Sequence, residues 1–265
     1  MALFHDLPRW LVGIATLAVF VGASLLGLGA TRRWSRRRGM HALIDNGVTG
    51  WIFSAILGIY AIAIGLIAVE SWGNAAAAAG VASHEAAEIA ALYRDVSEYP
   101  EPLRGPLEAG LARYTRYVIG EAWPQQRRGE IPRGGTDILN EFQHLLYAFE
   151  PATEGQQAVH AEALRAFNTL IEFRRQRLEA VDYAVPGTLW SVVLVGAVLS
   201  ITASYVFSIE SFFVHATMTS LLAAMISLLV FFILITDRPY RGEAGVGPES
   251  YELVLHDLIA PRPGR

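Results

Sequence analysis

The chain has 265 residues, of which 53% are hydrophobic and 17% charged, with a formal net charge of −4. That composition departs from an ordinary soluble domain and points to a membrane protein, while the lack of a basic stripe interleaved with aromatics excludes nucleic acid as a partner. There is no cysteine, which rules out disulfides and thiolate metal sites, and all 21 basic residues are arginine, a bias we ascribe to a GC-rich genome.

Four stretches run without a charge for long enough to cross a hydrocarbon core, which takes about 20 helical residues. The first covers about 10–30. Its apolar core is too long for a removable signal peptide and arginines follow at once, so it reads as a retained anchor. The loop behind it contains "RRWSRRRG", and the positive-inside rule places so basic a short loop in the cytoplasm. The second span covers about 51–69, with Trp51 and Trp72 bracketing it as interfacial anchors. Its small residues Ser54, Gly58, Ala61, Ala63 and Gly65 suit close helix packing.

From residue 71 to 186 the composition shifts to Ala, Glu, Arg and Leu at helical spacing. In "VASHEAAEIAALYRDVSEYP" the positions Val81, Ile89, Leu92, Val96 and Tyr99 form one stripe, closed by Pro100, Pro102 and Pro106. A second helix is expected over Leu107–Trp123, with Trp-Pro acting as a packing plug and a stop. A third is expected over Asp137–Phe149. A fourth opens on Thr153 and Gln156 in capping-box spacing, buries Leu164, Phe167, Ile171, Leu178 and Val181, and ends where Pro186 meets the third span.

The third and fourth spans cover about 187–209 and 212–236 and are joined by only a few residues. A tail occupies 237–265. The expected fold is all-α: a transmembrane hairpin within 1–70, a helical bundle outside the bilayer over 71–186, a second transmembrane hairpin over 187–236, and the tail. The simplest architecture extends spans two and three as the first and last helices of the bundle.

Glu85 sits in phase with the apolar stripe between Val81 and Ile89. A carboxylate there needs a partner, and Arg174 or Arg177 in "RRQRLEA" would serve as the other half of a structural ion pair. His84 with Glu88, and Glu141 with His144, have spacings that can bind metal. A di-iron bundle needs two Glu-x-x-His pairs, however, and only one is present, so these read as polar residues on a solvated face and no metal site is expected. "HEAAE" lacks the second histidine of a zinc protease, and no catalytic triad or phosphate loop appears. We expect neither an enzyme nor a cofactor.

In order and spacing, "DNGVTGWIFSAILGIYAIAIGL", "EAAEIAALYRDV", "YTRYVIGEAWP", "RRQRLEAVDYAVPGTLW" and "DRPYRGEAGV" resemble a bestrophin-like family of bacterial and plant membrane proteins. Within the first, "SAILGIY" is similar to the neck stretch of bestrophins through Ser54, Leu57, Gly58 and Tyr60. The resemblance places pore-lining positions on Trp51, Ala55 and Ile59, where Ala55 departs from the bulky pattern. It implies a homo-oligomer, pentameric in the bestrophins, that passes small anions or other small solutes through a multi-pass protein of the inner (cytoplasmic) membrane. A non-conducting sensor or scaffold whose bundle binds a partner is the alternative.

"DRPYRGE" resembles the turn that clasps calcium in animal bestrophins, through Asp237, Pro239, Tyr240 and Gly242. Arg238 and Arg241 add positive charge and the acidic run is missing, so no calcium clasp is expected. Asp237, Arg238 and Arg241 are instead candidates for ion pairs that lock the tail to the bundle. Bestrophin resemblance implies a cytoplasmic bundle. The charge rule, with Arg9, Arg238 and Arg241 outweighed by the five arginines of the first loop, favours an extracytoplasmic one.

Overall fold

The computed structural model describes residues 8–38, 45–241 and 245–259. Its helices are α1 (Arg9–Arg38), α2 (Asn46–Ser97), α3 (Arg104–Tyr117), α4 (Trp123–Arg127), α5 (Gly135–Tyr147), α6 (Glu154–Glu179), α7 (Gly187–Ser204), α8 (Phe212–Thr236) and α9 (Glu249–Val254). No strand occurs among the described residues. Four helices are long and apolar enough to cross a membrane: α1 over Trp10–Ser35, α2, α7 and α8. The described chain divides into two compact units, one holding the residues up to Gly73 with Ala184–Asp237, the other Asn74–Tyr183 with the residues after Asp237.

In the first unit, α2 starts where Asp45 accepts hydrogen bonds from the Gly47 amide at 2.7 Å and the Val48 amide at 3.4 Å. This side chain caps amide groups that the helix itself leaves unpaired. The core joins Tyr60, Ile64 and Ile67 of α2 to Val193 and Ala197 of α7 and to Ile226, Val230 and Ile233 of α8. The helices approach closely where one offers no side chain. Tyr60 lies across Gly196 and donates to the Val193 carbonyl at 3.0 Å. Phe231 lies against Gly13, and Tyr205 lies against Gly27 while donating to the Ser24 carbonyl at 2.8 Å. Ser71 and Thr236 hydroxyls meet at 2.8 Å. The short α7–α8 turn is held by Asn46, whose amide donates to the Ser208 carbonyl at 2.8 Å while its oxygen accepts from the Ser208 amide at 2.9 Å.

The second unit is a helical bundle. Its core takes Ala78, Ala82, Ala86, Ile89, Leu92 and Val96 from α2, Leu107, Leu111 and Tyr114 from α3, Leu139, Phe142 and Leu146 from α5, and Ala163, Ala166, Phe167 and Leu170 from α6. The spacing of three and four in each set is the stripe an amphipathic helix turns toward its neighbours. Thr153 caps α6 by accepting from the Gln156 amide at 3.2 Å, and Gln156 reaches back to the Ala152 amide at 2.8 Å.

One local expectation is met by the structure and two differ from it. The second span does continue as the first bundle helix: α2 runs 52 residues without interruption, roughly 78 Å at 1.5 Å per residue. The alanine run behind Asn74, made of the strongest helix former, carries it past the apolar stretch. The third span does not continue the last bundle helix. After a 3-10 turn at Ala180–Asp182 the chain is extended at Tyr183 and at Pro186, since proline lacks an amide proton and disfavours helical geometry in the residue before it. Trp-Pro, finally, is not a stop. A π-helical turn at Val118–Ala122 follows α3 and puts Pro124 in the first turn of α4, where its missing amide costs nothing, so the chain stays helical to Arg127. Trp123 is still a plug, 1% exposed.

Candidate functional site

The first candidate site is a face of α2. Trp51 is 83% exposed and Ile59 73%, with Ala55 exposed between them. Residues four apart lie nearly above one another on a helix, so these three share a face. Ile62, Leu66 and Val69 extend that face and are equally uncovered by their own chain. Gly58 and Gly65 have open space where a side chain would stand. Ile64 points the other way and is buried at 1% exposure. From Asn46 to Val69 there is no charged side chain, so any narrowing along this face is made of apolar rings or of backbone.

The second is a buried polar network in the bundle. Glu85 is fully buried and Arg177 is 1% exposed. Arg177 Nε donates to Glu85 Oε2 at 2.6 Å and Nη2 to Oε1 at 3.1 Å, a two-pronged contact that suits the planar guanidinium. Its Nη1 donates to Gln126 Oε1 at 2.5 Å, and Tyr114 donates to Glu85 Oε1 at 2.6 Å. The guanidinium also faces the rings of Trp123, at 5.6 Å from the centroid, and Tyr251, at 5.9 Å. Burial works most strongly against the charged form of Arg177, but the charge and hydrogen bond of Glu85 together with the Tyr251 and Tyr114 hydroxyls outweigh it and raise the pKa well above the usual arginine value. Burial, reinforced by the charge of Glu85, pushes the Tyr114 hydroxyl upward as well. Both shifts favour a charged Arg177 and a protonated Tyr114 that serves as a donor. Arg174, the other candidate partner, is half-buried and donates to Thr136 Oγ1 at 2.8 Å.

The tail is held differently from the ion-pair expectation. Asp237 accepts from the Val185 amide at 2.7 Å. Among the described residues neither Asp237, Arg238 nor Arg241 makes a salt bridge. Arg241 lies over Gly129, which has a φ of +77° and leaves no room for a side chain. Burial, then the charge of Arg238, lowers the pKa of Arg241. What fastens the tail is aromatic. Tyr240 donates to the Ala78 carbonyl at 3.1 Å, Trp123 Nε1 donates to the Val246 carbonyl at 3.0 Å, and Trp123 meets both Tyr240 and Tyr251 ring to ring. Tyr240 and Tyr251 are nearly fully buried. Gly242, the remaining position of the turn, lies outside the described residues.

The metal-spaced pairs are used otherwise. His84 stacks on Phe173, and Glu141 pairs with Arg113. Among the described residues no three His, Asp or Glu converge on a point where a metal ion would sit. Sequence reasoning missed Tyr114, Gln126 and Tyr251 as partners of the ion pair. It also missed Arg32, which is 7% exposed and donates from Nη2 to the carbonyls of Ile209 at 2.6 Å and Glu210 at 2.8 Å. A tyrosine in phase with Leu107 and Leu111 is the one signal that could have found Tyr114.

Comparison with known proteins adds the family. A solved structure of a bacterial bestrophin homologue from Klebsiella pneumoniae superposes with a TM-score of 0.69 at 13% identity, covering 94% of this chain and 99% of the other. A single-substitution variant of a Klebsiella pneumoniae bestrophin homologue gives 0.70 at 12% identity, with 94% and 99% covered. A structure of a membrane protein carrying one substitution gives 0.69 at 14% identity, with 93% and 98% covered. No curated protein sequence matches the chain. A Bestrophin-like domain profile matches residues 18–251. With four membrane-length helices, an inserted bundle and a profile match over most of its length, the chain belongs to the Bestrophin-like family of membrane proteins.

Proposed function

We propose that the protein is a homo-oligomeric channel for small anions or other small solutes in the inner membrane, with the Trp51–Ala55–Ile59 face of α2 lining the pore. The observation that carries this reading is the uncovered, uncharged stripe on α2, which runs from Trp51 to Val69 in a chain of the Bestrophin-like family. Small residues interspersed on the same helix let copies of it approach closely round an axis. A ring of Ile59 side chains would narrow the path by an apolar constriction, which gates by dewetting, while a ring of Ala55 leaves the preceding level wide. Residence in the inner membrane is supported by the helical rather than barrel form of the spans.

The test is reconstitution of purified protein in planar bilayers, with particle images of the same sample. Discrete currents whose reversal potential follows the anion gradient, from particles with a rotational axis and a central hole, are the expected result. Silent membranes containing correctly assembled protein would transfer the reading to a scaffold or sensor built on the bundle.

A further inference from the structure

The C-terminal end of α1 carries arginines that the channel reading does not use. Gly29, Arg32, Arg33 and Arg37 lie three, four and eight residues along one helix and so share a face. With Phe212 at the start of α8 they line a cleft of about 600 Å³. Arg33 and Arg37 are exposed. Arg32 is buried, its Nη2 spent on the two carbonyls of the α7–α8 turn, while its Nη1 is buried without a hydrogen-bond partner. Its guanidinium stands 5.6 Å from the centre of the Phe212 ring.

Among the described residues no carboxylate lies within ion-pair distance of Arg32, Arg33 or Arg37. A buried guanidinium with a free donor and no counter-charge is costly unless an anion completes it. The carbonyls at the end of α1 ease the crowding of positive charge, since a helix C-terminus attracts cations, but they supply no net negative charge. The cleft sits at the end of a membrane-length segment, where lipid phosphates are concentrated. Its one aromatic wall, Phe212, is followed by Phe213, which is 79% exposed. Arginine pairs with phosphate oxygens through two parallel donors.

We propose that this cleft is a phosphoryl-binding site, with Arg32 as the fixed inner donor, Arg33 and Arg37 as the outer clamp, and Phe212 beside the organic part of the ligand. The shared chemistry is a phosphate oxygen pair, supplied either by the headgroup of an anionic phospholipid or by free phosphate.

The test uses the full-length protein, delipidated in detergent, and measures binding by titration calorimetry. Three probes separate the sources: short-chain phosphatidylglycerol, the matching diacylglycerol without phosphate, and inorganic phosphate. Two variants leave the α7–α8 turn and Arg32 in place: Arg33→Ala with Arg37→Ala, and Gly29→Phe, which fills the cleft from a position with open space beside it. Phosphatidylglycerol is expected to bind saturably and about thirtyfold more weakly to the double variant, the effect of two juxtamembrane arginines. Gly29→Phe should weaken it comparably. If inorganic phosphate alone binds with the same dependence on both variants, the site holds and its source is free phosphate. Diacylglycerol binding as well as phosphatidylglycerol, the double variant binding phosphatidylglycerol like wild type, or neither phosphate probe binding would each overturn the proposal.

Discussion

A carboxylate in the middle of an apolar stripe is a problem with few solutions, and Glu85 solves it with Arg177, Tyr114 and Gln126 around one buried pair. Glu85→Ala should destabilise the protein by about 3–5 kcal/mol, because Arg177 is left charged and dry. Replacing both partners, Glu85→Leu with Arg177→Met, should recover most of that loss. Denaturant titration in detergent checks both; a single variant as stable as wild type would show the pair to be dispensable. His160 gives a second residue-level test. Its Nδ1 lies 2.7 Å from the Tyr99 hydroxyl, and burial lowers its pKa while burial and Asp95 push that of Tyr99 up to about 12. The folded state thus favours the neutral imidazole. Between the lowered folded pKa and the ordinary unfolded value near 6.5 the unfolded chain binds more protons, so stability should fall as pH drops below about 6.5. His160→Gln should flatten that part of the melting-temperature profile, and an unchanged slope would remove His160 as its source.

At the scale of elements, the spans and bundle helices could be read from the sequence because burial imposes a period there. Val81, Ile89 and Leu92 mark a stripe whatever lies opposite, and Thr153 with Gln156 mark a helix start by local chemistry alone. The π turn before Trp123 has no such mark, since it changes hydrogen bonding without changing composition. The aromatic fastening of the tail was hidden for another reason. Tyr240 and Tyr251 meet Trp123 more than a hundred residues away in sequence, and the nearby charges of Arg238 and Arg241 drew attention to ion pairs instead. Glycine placement was visible, but its purpose was not: Gly196 matters because Tyr60 occupies the space of its missing side chain. Gly196→Val should therefore cost about 1–3 kcal/mol by overpacking, and adding Tyr60→Ala should relieve part of it. Unfolding in detergent measures both, and a fully stable Gly196→Val would show that α2 and α7 pack less tightly than described.

At the scale of the whole molecule, orientation and conduction both admit direct tests. The chain has no native cysteine, so single cysteines report cleanly. Ser35 is buried, which makes exposed Arg37 the better probe of the first loop, with exposed Gly134 as the probe of the bundle. The charge bias predicts that Arg37→Cys is shielded from impermeant thiol reagents in intact cells, while Gly134→Cys reacts once the outer membrane is opened. The reverse pattern would put the bundle in the cytoplasm. The central claim is that the exposed face of α2 lines a pore, and its most direct test is single-channel current from Ala55→Phe beside Val198→Phe, an exposed apolar site on α7. Because conduction through an apolar ring depends steeply on its radius, Ala55→Phe should assemble as wild type does and pass little or no current, while Val198→Phe conducts normally. An assembled Ala55→Phe channel with wild-type conductance would contradict the account.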